Sequence, residues 1–271
     1  MEILSNCIGE RLVLLQNGMD VTYSLVRLNI TPSCECYTNP PFEGSCRCRN
    51  TKGEAWLFSR FTASSSCGVH PPLVDLALCV PNFLSAAEGH DEATRKRYFY
   101  ITIIREPIRR YLSEWHHLQT VPPWPSECTG VENPVEVCLK AVDNHPLSLL
   151  EFIQCSGNPA NNRMARMLTR DSPSLCDDLH YEDTLSSAKK ALESMDFFGL
   201  TEDQLSTKKL FETSFGVKFM GSFQQFNSTA AETVLHENVN NDVLSLLHQK
   251  NSIDIELYAY AKSLFYKRLG N

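Results

Sequence analysis

The sequence lacks a long apolar run. Nowhere do its 271 residues approach the roughly 18 consecutive apolar residues that a membrane-spanning helix requires, and the amino terminus has no basic segment followed by an apolar core. The residues therefore show neither a signal peptide nor a membrane anchor. Either the sequence is a fragment of a longer protein, or the protein does not enter a membrane-bound compartment by itself.

An excess of positive charge is also missing. The formal net charge is -7, which argues against nucleic acid or another polyanion bound over a broad basic surface. An acidic ligand must instead be held by a local cluster. One such cluster in the sequence comprises Arg95, Lys96, Arg97, Arg105, Arg109 and Arg110. A solvated charged face is the simpler explanation of such a run.

Internal repeats, low-complexity segments and cysteine pairs with zinc-site spacing are absent as well, although the chain has eleven cysteines. The pairs Cys34–Cys36 and Cys46–Cys48 have a single intervening residue, whereas structural zinc ligands are usually two to four residues apart. We therefore expect no metal and a disulfide-linked loop instead. Cys79 could pair with a cysteine at position 67, and the odd count leaves at least one free thiol, for which Cys7 is the candidate.

Two glycosylation tripeptides agree with a secretory-pathway protein. They begin at Asn29 and Asn227, and each fits the acceptor pattern for N-linked sugar, although such tripeptides also arise by chance.

The segment from Tyr98 to Gln119 predicts a buried strand followed at once by a helix. Tyr98 to Ile104 is aromatic and β-branched, Pro107 stops the strand, and apolar side chains then recur at helical spacing. Arg105 thus lies at the carboxyl end of a strand, where open α/β sheets bind ligands, and Ser113 lies two turns into the helix. An arginine and a hydroxyl there suit a phosphate. The alternative is that the arginines are merely solvated.

Strands that alternate with helices predict an α/β fold with a mainly parallel sheet. We expect strands at Glu54 to Phe61 (or a buried turn), Asp196 to Leu200 and Val217 to Met220, and helices at Leu149 to Gln154, Asn161 to Leu168, Thr184 to Met195, from Thr201 to Phe215, and Ile253 to Leu269. Pro32 to Asn50 is expected to be a loop and Ala86 to Arg97 a charged connector. Met1 to Ile30 receives no assignment.

Two further side chains are candidates for a site. His70 follows small residues and precedes two prolines, so a loop presents its imidazole, although a lone histidine is more often structural. Trp124 stands among three prolines that would hold the indole outward to stack on a sugar, or it is a buried anchor for its loop.

Several separated blocks identify the chain as similar to the heparan sulfate 6-O-sulfotransferases. The blocks are WLFSRF, CGVH, ITIIREPIRRYLSEWHH, ANNR, SAKKALESMDFFGLTE and QQFNST, and the similarity runs from about Cys34 to about Leu269. This resemblance implies a P-loop-like sulfotransferase fold. It also implies an enzyme that transfers a sulfonyl group from 3′-phosphoadenosine 5′-phosphosulfate to the 6-hydroxyl of glucosamine residues in heparan sulfate.

The resemblance also assigns roles to residues. His70 matches the catalytic base, Arg105 and Ser113 match the pair that binds the 3′-phosphate of the cofactor, and the segment Gln224, Gln225, Phe226 lies where the family closes over the nucleotide. Arg60, His117 and Trp124 match glycan-contacting positions. The family further implies a Golgi-lumen, single-pass type II membrane glycoprotein, which requires an anchor outside this sequence.

One element of the family pattern is not found. Relatives have a strand and a loop resembling HIQKTGGTT that holds the 5′-phosphosulfate, and nothing in Met1 to Thr31 matches it. We therefore expect a divergent or truncated segment at 1–31, a single sulfotransferase-like domain at 32–271, and a sheet without its first strand and loop. The alternative function is an impaired or inactive relative that binds glycan or a partner.

Overall fold

The computed structural model describes residues 11–15, 33–36, 46–49, 55–56, 72–88, 98–119, 137–138, 147–169, 181–215 and 239–270. The strands in these ranges are β1 (Arg11–Leu15), β2 (Ser33–Cys36), β3 (Cys46–Arg49), β4 (Ala55–Trp56), β5 (Tyr98–Ile104) and β6 (Phe197–Leu200). The helices are α1 (Leu73–Glu88), α2 (Pro107–Leu118), α3 (Leu149–Gln154), α4 (Arg163–Leu168), α5 (Tyr181–Ser194), α6 (Gln204–Phe215), α7 (Asn241–Lys250) and α8 (Ser252–Gly270).

A parallel sheet in the order β1-β5-β6 lies at the centre of the described residues. β5 pairs in parallel with both neighbours, with Leu14 opposite Ile101 and Ile104 opposite Leu200. This confirms the predicted α/β fold. The expectation that the sheet lacks its first strand was wrong as far as β1 is concerned, because the apolar run after Arg11 pairs with β5.

The cysteine-rich segment contains two strands that pair antiparallel, which corrects the prediction that the disulfide-linked segment Pro32 to Asn50 is a loop throughout. β2 pairs with β3, and β3 pairs with β4. The register places Cys34 opposite Cys48 and Cys36 opposite Cys46. Closely spaced cysteines in an alternating polar segment are therefore compatible with pleated strands, and the disulfide pairing of these four residues stays a prediction.

Helix α1 extends three residues into the predicted charged connector, which corrects the boundary at Ala86. Pro81 lies inside this helix and has no N–H to donate. The side chain of the next residue, Asn82, donates to the Leu78 carbonyl, one turn earlier in the helix, at 3.0 Å. Cys79 forms a disulfide whose partner is not among the described side chains, so a pairing with the cysteine at position 67 stays a prediction.

The main core surrounds β5 and β6. Ile101, Ile104 and Phe198 are each at most 1% exposed, and all four residues of β6 are buried, as expected for a strand covered on both faces. Phe197 packs edge-on against Phe211 of α6, with ring centroids 5.0 Å apart. A second apolar cluster lies between α2, α3 and α7.

Two helices exchange caps at their amino termini. The Asn162 side chain accepts from the backbone N–H of Ile253 at 3.0 Å and of Asp254 at 3.3 Å, at the start of α8. In return, the Asp254 carboxylate accepts from the N–H of Met164 at 3.0 Å and of Ala165 at 2.8 Å, at the start of α4. Asn162 has a positive φ of 50°, a left-handed conformation that asparagine tolerates better than most residues. The exchange satisfies N–H groups that each helix leaves unpaired.

Local signals define α3 and its surroundings. Ser148 and Glu151 form a capping box, because each side chain accepts from the other's backbone N–H. A disulfide links Cys138 to Cys155 at the end of this helix. Trp115 of α2 donates to the Leu147 carbonyl at 2.7 Å, which ties α2 to the approach of α3.

Helix α6 begins at Gln204, so the predicted start at Thr201 was wrong. Thr201, Glu202 and Asp203 are all residue types that favour a helix start. Asp203 acts as the cap, since its carboxylate accepts from the Ser206 N–H at 3.0 Å. Thr201 and Glu202 form a turn before it. Thr201 donates to the Ile104 carbonyl of β5, and Glu202 accepts from the Glu106 N–H. The predicted strand at Val217 to Met220 lies outside the described residues.

Candidate functional site

The turn between β5 and α2 is built around Arg105, the first residue after the strand. Glu106 is the N-cap of α2, and Pro107 occupies the first helical position, where its missing N–H has no cost. The Glu106 carboxylate accepts from the Ile108 N–H at 3.2 Å and from the Arg109 N–H at 2.8 Å. Because a protein carboxylate already uses these amides, an anion at this turn must be held by side chains.

The residues on both sides of Arg105 are bound to the turn that follows β6. The carbonyl of Ile104 accepts from the Thr201 N–H at 2.9 Å and from the Thr201 hydroxyl at 3.1 Å. The N–H of Glu106 donates to Glu202 Oε1 at 3.0 Å. Two consecutive residues of one turn therefore fix the backbone immediately before and immediately after Arg105.

The Arg105 side chain is half-buried, and among the described residues it has no hydrogen-bond or ion-pair partner. Burial lowers the pKa of its guanidinium, the Glu202 and Glu106 carboxylates oppose that shift, and the neighbouring Arg109 adds to it. Both carboxylates accept backbone N–H groups instead of binding Arg105. The guanidinium thus keeps its fork of donors for a ligand.

Ser113 and His117 lie on one face of α2 together with Arg109, because residues four apart in a helix are neighbours on its surface. All three are half-buried. Among the described residues, the Ser113 hydroxyl, like the Arg105 guanidinium, has no hydrogen-bond partner. One positive fork and one hydroxyl fit a phosphate group. Arg105 thus lies in the turn after β5, and Ser113 and His117 lie on the helix that follows it, as the sequence predicts.

Arg110 belongs to a different environment. It is 2% exposed, so the interpretation of its basic run as a solvated face was wrong for this residue. Its guanidinium binds Glu114 at 2.7 Å, the Ala160 carbonyl at 2.6 Å and Asn251 Oδ1 at 3.1 Å. Glu114 also binds Arg163 at 3.1 Å. The only sequence signal for this network was the four-residue spacing of Arg110 and Glu114.

The network also reaches the cap of α4. Arg110 Nε lies 3.8 Å from the Asp254 carboxylate, which is fully buried. Burial raises the pKa of Asp254, while Arg110 and the N–H groups of Ala165 and Met164 lower it. This buried cluster anchors α2 against α4 and α8, so it fixes the helix that presents Ser113 and His117.

The remaining predicted site residues lie outside the described residues. They are Asn29, Arg60, His70, Trp124, Gln224, Gln225, Phe226 and Asn227. Their roles stay predictions. Within the part of the chain that the structure does describe, no helix is both long enough and apolar enough to span a membrane.

Comparisons with known proteins agree with the resemblance found in the sequence. The model of the sulfotransferase family matches residues 77–261. The chain is 39% identical over 257 residues to human heparan-sulfate 6-O-sulfotransferase 1, covering 90% of this chain and 61% of that relative. It is 40% identical over 251 residues to the Gallus gallus protein of the same name, covering 88% and 60%.

Mouse heparan-sulfate 6-O-sulfotransferase 3 is 37% identical over 256 residues, covering 89% of this chain and 53% of its own length. The chain thus spans about 60% of the length of the first two relatives and less of the third.

Proposed function

This chain belongs to the sulfotransferase family, and on that premise we propose that it transfers a sulfonyl group from 3′-phosphoadenosine 5′-phosphosulfate to the 6-hydroxyl of glucosamine residues in heparan sulfate. The names of its relatives support the choice of acceptor. One structural observation supports the choice of donor. Arg105 is half-buried, held by its backbone on both sides, and has no partner for its guanidinium among the described residues.

In this proposal Arg105 and Ser113 hold the 3′-phosphate of the donor. The guanidinium gives charge-assisted, bidentate hydrogen bonds, and the hydroxyl adds a further one. A phosphate dianion also offsets the mutual repulsion of the positive charges around Arg105. The donor, when bound, supplies the activated sulfonyl group, and the segment Gln224 to Phe226 covers the nucleotide.

The acceptor side rests on residues from three parts of the chain. His70 takes the proton as the 6-hydroxyl oxygen forms its bond to sulfur, and the bond between sulfur and the phosphate oxygen breaks. Arg60 pairs with a sulfate or carboxylate of the glycan, His117 hydrogen-bonds the sugar, and Trp124 stacks on it. The resemblance of the sequence blocks around these residues to the family supports these roles.

The cellular setting is part of the same proposal. The protein acts in the Golgi lumen as a type II membrane glycoprotein, with sugar at Asn29 and Asn227 and an anchor outside this sequence. Residues 32–271 form one sulfotransferase-like domain, and the divergent segment before them contributes β1 to its sheet.

Transfer of labelled sulfonyl from the donor to 6-O-desulfated heparin tests the activity, with disaccharide analysis to locate the product. We expect label at the 6-position of glucosamine. Arg105→Ala should raise the KM for the donor at least about tenfold, since it removes a charge-assisted bidentate contact. Lys190→Ala, which removes one charge from an exposed position on α5, is the matched control.

His70→Ala separates chemistry from binding. Without its base the enzyme should lose transfer, while binding of adenosine 3′,5′-bisphosphate, measured by calorimetry, stays unchanged. If the unaltered chain binds the nucleotide and heparan sulfate but transfers no label, the non-catalytic alternative replaces the proposal.

A further inference from the structure

Glu202 connects three separate parts of the fold through its carboxylate. Oε1 accepts from the Glu106 N–H at 3.0 Å, and Oε2 accepts from the Tyr258 hydroxyl at 2.6 Å. Glu202 lies in the turn after β6, Glu106 caps α2, and Tyr258 is an 8% exposed residue of α8. Both carboxylate oxygens are therefore used within the protein, and neither forms an ion pair with Arg105.

Glu202 and its neighbour Thr201 hold the backbone on both sides of Arg105 by hydrogen bonds. Thr201 binds the Ile104 carbonyl, one residue before Arg105, and Glu202 binds the Glu106 N–H, one residue after it. A side chain whose flanking peptides are both fixed has fewer accessible positions, so less conformational entropy is lost when a ligand binds it.

Tyr258 in turn fixes the carboxylate. Burial raises the pKa of its hydroxyl, and the nearby Glu202 raises it further. The tyrosine therefore stays protonated in the ordinary pH range and donates its hydrogen bond continuously. This bond ties the Glu202 carboxylate to the long helix α8, which packs in the main core.

Through its charge alone, Glu202 would weaken the binding of a phosphate to Arg105, whereas by fixing the turn it would strengthen that binding. A carboxylate near Arg105 repels a phosphate that binds there, so a purely electrostatic role predicts tighter phosphate binding when the charge is removed. A positioning role predicts weaker binding when the hydrogen bonds are removed. The two roles are therefore separable by substitution.

We propose that Glu202, held by Tyr258, is a positioning residue that fixes the turn presenting Arg105 to the 3′-phosphate of the sulfonyl donor. This inference rests on the proposed function, because it assigns the ligand of Arg105. It adds two residues from the carboxyl-terminal half of the chain, which touch neither the phosphate nor the reacting atoms.

Two nucleotides that differ only in the 3′-phosphate provide the test. Binding of adenosine 3′,5′-bisphosphate and adenosine 5′-monophosphate is measured by calorimetry. The dissociation constant of the monophosphate divided by that of the bisphosphate reports the 3′-phosphate contact alone. Glu202→Ala should reduce this ratio about tenfold, which corresponds to about 1.4 kcal/mol, and leave monophosphate binding unchanged. With the full donor, KM should rise while kcat at saturation is retained.

Two conservative variants keep the test valid if Glu202→Ala folds poorly. Glu202→Gln retains an acceptor oxygen and should restore most of the ratio, whereas an electrostatic role predicts a ratio above that of the unaltered protein. Tyr258→Phe removes one hydroxyl and should lower the ratio about threefold, because it frees the carboxylate without removing it. In a chain that also has Arg105→Ala, Glu202→Ala should have no further effect.

The failures of the two proposals are distinguishable. If the unaltered protein does not discriminate between the nucleotides, or if Arg105→Ala leaves the ratio unchanged, the proposed function is wrong at this site. If Arg105→Ala abolishes the discrimination but Glu202→Ala and Tyr258→Phe retain it, only the positioning role is overturned.

Discussion

Replacing Gly199 in β6 with alanine should destabilise the protein through a single contact. A Cβ at this position would lie 2.4 Å from Cγ2 of Thr207, whereas carbon atoms in contact are normally about 3.5–4.0 Å apart. Thr207 cannot rotate away freely, because its hydroxyl accepts from the Leu200 N–H at 2.8 Å and donates to the Leu200 carbonyl at 3.0 Å. About 1 Å of movement is therefore required in a buried strand.

The magnitude follows from the two ways of relieving this clash. Overpacking of this kind costs about 1–3 kcal/mol, and rotating Thr207 would lose two hydrogen bonds worth about 1 kcal/mol each. Alanine restricts the unfolded chain, which offsets about 0.4–1 kcal/mol. We expect Gly199→Ala to lower the free energy of unfolding by about 2 kcal/mol and Tm by about 4–8 °C.

A double-mutant cycle identifies the cause. Thr207→Ser removes Cγ2 but retains the hydroxyl, and should cost about 1 kcal/mol for the lost methyl group. In the double variant the nearest remaining contact is Oγ1 at 3.2 Å. Adding Gly199→Ala to Thr207→Ser should therefore cost only about 0.5 kcal/mol, because a shift of a few tenths of an ångström relieves this contact, which gives a coupling energy of about 1.5 kcal/mol.

Denaturation by guanidinium chloride, followed by tryptophan fluorescence, measures all four proteins with intact disulfides. Gly270→Ala is the control, because nothing lies within 4 Å of a Cβ there, and it should change stability by less than about 0.5 kcal/mol. Additive effects of the two substitutions would refute the argument that the Thr207 methyl group opposes a side chain at position 199.

Other predictions concern the supports of the site. Asp254→Ala should lower the free energy of unfolding by about 2–4 kcal/mol, because it leaves the N–H groups of Met164 and Ala165 without their acceptor; a loss below about 1 kcal/mol in the same denaturation assay would contradict this. Ser148→Ala should cost about 1 kcal/mol by removing the capping box with Glu151, seen as a lower denaturation midpoint at an unchanged slope. Replacing both Cys138 and Cys155 with serine opens a link across 17 residues and should cost about 3 kcal/mol; equal stability of the oxidised native protein and this variant would argue against the estimate.

Local patterns predicted the strand and helix that present Arg105. Tyr98 to Ile104 matches β5 as observed, and Pro107 is the first residue of α2. Both signals are intrinsic to the segment: β-branched and aromatic residues favour a strand, and proline is favoured at the first position of a helix. The position of Arg105 between them follows directly.

The residues that hold the Arg105 turn and helix α2 in place could not be predicted from local patterns. Glu202 has the residue type and position of a first-turn helix acid, but Asp203 takes the capping role and leaves Glu202 to bind the chain 96 residues earlier. Arg110 resembles the other arginines of its run, and the groups that surround it in the core include an aspartate 144 positions further along the chain. Side-chain partners at such separations are set by tertiary packing, which no local pattern encodes.

The exchange of caps between α4 and α8 also has a consequence for the order in which the chain folds during synthesis. Asp254 lies 90 residues after the Met164 N–H that it accepts from. Helix α4 therefore emerges from the ribosome before the residue that caps it in α8. The Glu202 carboxylate likewise emerges before Tyr258, which donates to it. A chain interrupted before Ser252 would lose more than its last described helix, because the start of α4 and the final setting of the Arg105 turn would both remain incomplete.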